Sequence, residues 1–112
     1  MCFSATASFV SAGMMGLSGL AALASARQPR ELPLAAAPLI FAIQQSVEGT
    51  LWLTLPIAPD LPTSAVLMYV FLVFAMIFWP VYGPLAILAI ERDSLRRRAQ
   101  TVCLVAGTIA AF

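Results

Sequence analysis

Gln44, Gln45 and Glu48 are the residues whose types and spacing could do chemistry, because they interrupt an otherwise apolar stretch from Leu32 to Leu55. On a helix, intervals of four and three residues bring both amides to the side that carries Glu48, and Phe41 and Trp52 extend that face. A carboxyl group placed in hydrocarbon sheds its charge unless a partner holds it, and intramembrane carboxylates concentrate at ion and proton paths. Glu48, with Gln44, Gln45 and Trp52 around it, is therefore the candidate ligand or proton site. The same side chains also bond membrane helices to one another, so a purely structural cluster is the competing reading.

Counted back from Leu55, Glu48 lies about seven residues, roughly 10 Å, below the end of its helix. Tyr69 reaches a similar depth when counted from Pro62, as do Ser8 and Ser11 on the first apolar stretch, so these are expected as hydrogen-bond partners. The chain has no histidine, which removes the commonest general base and transition-metal ligand, and excludes haem or chlorophyll ligation by that residue. Cys2 and Cys103 have neither zinc-site nor redox spacing. Cys2 is a possible special thiol, as an acylation site or a nucleophile beside its own amine, but no base partner can be named for it. No catalytic residue and no metal site is assigned. Gly13, Gly16 and Gly19 are not a phosphate loop, because no lysine follows them.

The elements that must position these groups are helices in lipid. Hydrophobic residues make up 62% of the 112 and charged residues 10%, with a mean hydropathy of +0.96. A soluble domain is about half apolar and a quarter charged, and one this short cannot hide the excess. The expected fold is all-α, a polytopic transmembrane bundle forming a single domain, with spans at about 5–26, 32–55 and 63–90. A fourth, 101–112, covers roughly 18 Å, about half a bilayer, so the chain is expected to continue. Ala24-Ser25-Ala26 resembles a signal-peptidase site, but no basic residue precedes the long apolar run, which is read as a retained span.

Small residues Ser8, Ala12 and Gly16, with Gly19 a turn on, form a stripe that admits close helix packing, against the second span or a partner. Pro80 and Pro84 free backbone acceptors near Met76 and Pro80 and predict a kink in the third span, with Trp79 and Tyr82 packing or anchoring at the interface. Phe71, Phe74 and Phe78 share a face for packing or lipid contact. All six positive charges are arginines, in segments 27–31 and 91–100, and the 56–62 connector has none. The positive-inside rule places both segments in the cytoplasm and the N-terminus outside. Arginine in place of lysine and abundant alanine suit a GC-rich bacterial coding sequence, hence the bacterial inner membrane. No basic patch with interleaved aromatics suggests nucleic acid.

The opening Met1-Cys2-Phe3-Ser4-Ala5-Thr6-Ala7-Ser8-Phe9, the segment Phe41-Ala42-Ile43-Gln44-Gln45-Ser46-Val47-Glu48-Gly49 and the following Trp52 resemble an uncharacterised family of bacterial multi-pass membrane proteins. The resemblance implies further spans and no particular activity. It directs attention to Cys2, Gln44, Gln45, Glu48 and Trp52. The leading expectation is an accessory or structural subunit of a larger membrane complex, with the lipid bilayer and other membrane subunits or further copies of itself as partners. The alternatives are a transporter or proton conductor centred on Glu48 and, more weakly, a membrane enzyme using Cys2.

Overall fold

The computed structural model describes residues 4–112; Met1, Cys2 and Phe3, and with them any role of the Cys2 thiol, lie outside the described residues. The described residues are helical apart from short turns, with no strand among them. Helix α1 (Ala5–Ser25) is capped by Ser4, whose Oγ accepts from the Ala7 amide at 3.2 Å. A tight turn follows, in which Glu31 Oε2 accepts from the Arg27 and Gln28 amides at 2.8 and 3.3 Å. The 3₁₀ turn Pro29–Glu31 then leads into α2 (Leu32–Thr54), with Pro33 in its first turn where a missing N–H costs nothing. A connector folded under Ser64, whose hydroxyl donates to the Ala58 carbonyl at 3.0 Å, reverses the chain.

The third rod runs from Pro62 to Ile90 and comprises α3 (Pro62–Leu72), a π-helical stretch (Val73–Phe78) and α4 (Trp79–Ile90). The sequence predicts a kink here, and the disruption takes the form of a widened turn. Pro80 has no N–H to give the preceding turn, and just before it the Trp79 amide reaches five residues back to the Phe74 carbonyl. The fourth helix, α5 (Ser94–Ala111), starts earlier than the apolar run at 101 suggests. Asp93 caps it, accepting from the Leu95 and Arg96 amides at 3.0 Å each. Arg97 reaches back to the Leu88 and Glu91 carbonyls, at 3.0 and 2.9 Å, and closes the end of α4. The expected loop 91–100 is thus reduced to residues 91–93, and Arg96, Arg97 and Arg98 are helical.

Consecutive rods run antiparallel, each packed chiefly on its neighbours in the chain: α1 on α2, α2 on the third rod, and the third rod on α5. Among the described residues two helices, Ala5–Ser25 and Pro62–Ile90, are long and apolar enough to cross a membrane. Helix α2 has the length, at 23 residues, but its centre carries Gln44, Gln45 and Glu48, so two such helices stand where the sequence suggests three full spans.

Burial is inverted relative to a soluble domain. Among the described residues, the buried apolar side chains are Ala42, Leu51 and Ala86, whereas Ser8, Gln44, Gln45, Glu48 and Ser64 are buried and polar. Large apolar side chains such as Leu17, Ile43, Val66, Met76 and Ile109 point outward.

Candidate functional site

The polar cluster lies where α2 meets the third rod. Glu48 is 5% exposed, and Gln44 and Gln45 are equally buried. Gln45 Nε2 donates to Glu48 Oε2 at 3.0 Å, one turn along the same helix. The indole N–H of Trp79 donates to Gln44 Oε1 across the interface. Trp79 also stands against Phe41, with ring centroids 5.8 Å apart, and edge-on to Phe78 at 5.3 Å. One turn further, Tyr82 donates its hydroxyl to the Pro33 carbonyl at 2.6 Å, and its ring stacks on Phe78. Trp79 and Tyr82, expected to pack or anchor at the interface, bolt the helix to α2 in two places.

On the outer side of this cluster a cleft of about 250 Å³ opens between α2 and α3, lined by Glu48, Leu51, Trp52, Leu55, Pro56 and Phe71. Glu48 is the one ionisable residue in this lining. Trp52, 43% exposed, stands at the rim. Tyr69, expected beside Glu48, is 67% exposed and contributes nothing to the cleft. The reason is angular: at about 100° per residue, Tyr69 stands roughly 200° round the helix from Phe71, and Phe71 is the residue turned to α2.

The same arithmetic explains Trp79. Eight residues separate it from Phe71, about 80° out of phase on a regular α-helix. The π stretch takes up one extra residue, which leaves an effective separation of seven, or two turns, so both rings face α2. Sequence periodicity alone misses Trp79 as the Gln44 partner and Phe71 as the cleft wall. The signal that could have found them is Pro80, which makes a widened turn before it the simplest way to lose a donor.

The small-residue stripe faces α2. An ideal Cβ on Gly16 would meet Ala42 Cβ at 3.8 Å, an ordinary contact, and one on Gly19 would meet the Leu39 backbone nitrogen at 2.6 Å. Ala12 is half-buried. Ser8 is fully enclosed, with its hydroxyl unpaired among the described residues, as is the Thr54 hydroxyl. Ser11 lies half-buried on the same helix. At the far side of the third rod, Pro84 lacks the N–H that would bond the Pro80 carbonyl, and Gly107 of α5 packs directly on that oxygen, where a Cβ could not fit. Cys103 is exposed and free. Among the described residues no group of histidine, cysteine and carboxylate side chains is placed to hold a metal ion.

No curated protein and no solved structure matches this chain. The sequence pattern of one family does match, over residues 1–112, and the chain accordingly belongs to that family, a family of unknown function (DUF6629).

Proposed function

We propose that this chain is a multi-pass protein of the bacterial inner membrane that acts as an accessory subunit, packing against other membrane components, with its N-terminus outside. The observation behind the membrane reading is the inverted burial: polar side chains inside and large apolar ones outside suit a solvent of lipid tails. The helix hydroxyls fit it too, since Ser18, Ser25, Ser46, Thr50 and Thr108 each donate to the carbonyl four residues back at 2.8–2.9 Å and need no water. Orientation rests on the arginines, which gather in the two turns and the start of α5 at one end of the helices while the 55–61 connector at the other end has none.

The subunit reading draws on the packing. A row of helices joined mainly to their chain neighbours leaves apolar flanks for lipid or other helices, and the bond from Trp79 to Gln44 suits a cluster that holds helices together. Purification of the full-length tagged protein in mild detergent, with mass spectrometry of what remains after gel filtration, tests it. A stoichiometric membrane partner that survives Glu48→Gln is the expected result. A homogeneous protein that runs alone overturns the subunit assignment.

A second reading is favoured by one specific feature, the cleft that reaches Glu48. In it the carboxyl group is a working ligand or proton group, as in a transporter, and Glu48→Gln abolishes the activity instead of being tolerated.

A further inference from the structure

We infer that the outward side of α5 holds an anionic phospholipid, with its phosphate on Arg97 and Arg98 and one acyl chain along the apolar residues that follow. This rests on the membrane reading above and adds a partner of stated chemistry. Helix α5 packs on the third rod by one side, where Leu104, Gly107 and Ala111 are half-buried and Gly107 lies on the Pro80 carbonyl. A second, exposed side carries two shallow, open grooves that run into each other. Ser94, Arg97, Arg98, Thr101 and Val102 line the first. Thr101 and Val102 continue into the second, with Val105, Ala106 and Ile109. Intervals of three and four residues set these side chains in one row along the helix.

Charge selects an anion. Arg97 Nη1 is fixed by the Leu88 and Glu91 carbonyls at 3.0 and 2.9 Å, and at least three of the five guanidinium N–H donors stay open. Among the described residues Arg98 has no hydrogen bond or ion pair, and no carboxylate lines the groove. The acidic groups at this end are engaged elsewhere. Glu31 and Asp93 hold backbone amides, and Glu91 faces Arg96 at 3.9 Å. Asp93 already takes the first-turn amides of α5, so the guanidinium groups are the anion's donors. Their planar forks match the oxygens of a phosphate.

Depth selects a lipid. The bond from Arg97 to the Leu88 carbonyl puts the arginine pair level with the last turn of α4, where a spanning rod passes from hydrocarbon to headgroups. From Arg98 to Ile109 the helix rises about 16 Å, and the hydrocarbon of one leaflet is about 15 Å deep. Val102, Val105 and Ile109 are well exposed along that length. A phospholipid has the same order, phosphate at the surface and apolar chain beneath it. Free phosphate would leave the second groove unused. An apolar helix laid along the row would cover Arg98 without a counter-charge.

The test is native mass spectrometry of the full-length protein in non-ionic detergent, titrated with phosphatidylglycerol and phosphatidylcholine of identical chains. One saturable phosphatidylglycerol per chain is expected, held about fivefold or more tighter than phosphatidylcholine, which is the worth of one arginine at a membrane surface. Arg98→Gln should remove most of that preference. Arg92→Gln, an equal loss of charge outside the groove, should leave it intact. Glycerol 3-phosphate, the headgroup chemistry without chains, should bind at least tenfold more weakly than the lipid. Unsaturable or equal binding of the two lipids overturns the proposal, as do equal effects of the two arginine variants. Glycerol 3-phosphate binding as tightly as the lipid makes this a phosphate site and overturns it too. Carbonate washing of native membranes separates the two levels of inference. If the protein stays in the membrane, the membrane reading stands even when the lipid site falls; if carbonate releases it, both fall.

Discussion

Trp79 and Gln44 form the contact on which the α2 interface turns, because each is the other's hydrogen-bond partner across it and the Gln44 amide is buried. Replacing Trp79 by Phe keeps an aromatic ring and removes the donor, which leaves a buried amide oxygen unpaired. In lipid the expected loss is about 0.5–2 kcal/mol, since the membrane-unfolded state finds partners of its own. Thermal unfolding in mild detergent should show a lower midpoint for Trp79→Phe, and a partial recovery when Gln44→Leu is added, because no orphaned group then remains. A double variant that loses the plain sum of the two single losses would show that the bond does not couple these residues. Tyr82 is a second bolt of the same kind, aimed at a backbone carbonyl at the start of α2.

At the scale of elements, the stripe on α1 and the widened turn in the third rod do the positioning. Gly19 lets the backbones of α1 and α2 touch: an added Cβ would stand 2.6 Å from Leu39 nitrogen and 2.9 Å from its Cα, neither of which can swing aside. Gly19→Ala should therefore destabilise the protein by about 1–3 kcal/mol, the usual cost of overpacking. Gly13 is the control, with nothing within 4 Å of its ideal Cβ, and Gly13→Ala should be neutral or gain up to about 1 kcal/mol through helix propensity. Unfolding of both variants in a denaturing-detergent titration measures the contrast. Equal midpoints would mean that α1 moves freely enough on α2 to absorb a methyl group. Opposite this interface, Gly107 on the Pro80 carbonyl fastens α5 to a backbone group that Pro84 leaves open.

For the whole molecule the decisive property is polarity along the helix axes. The turn at 26–31 and the turn at 91–93 share one end with the arginines, and Asp60 sits in the connector at the other. In a Cys2→Ser, Cys103→Ser background, Asp60→Cys should react with a membrane-impermeant maleimide on intact cells. Ser94→Cys should react only after the membrane is opened. The reverse pattern would invert the orientation, and reaction of both sites on intact cells would overturn the spanning arrangement itself.

Much of this was legible in the chain before any coordinates. Hydropathy alone marks the helical stretches, because an apolar run of twenty residues has few other stable solutions, and it places the starts of α1, α2 and α3 to within a residue. It misses the start of α5 at Ser94, which Asp93 caps inside the expected loop. The common face of Gln44, Gln45 and Glu48 follows from the helical repeat. What the tertiary structure decided is which residues meet that face. A regular repeat carried through Pro80 puts Trp79 about 80° from Phe71; the π turn brings them together, and Tyr69 is left outside. A local period predicts neighbours within one helix. The phase between two helices depends on where a backbone turn widens and on how closely a glycine lets them approach, and those are settled only when the helices pack.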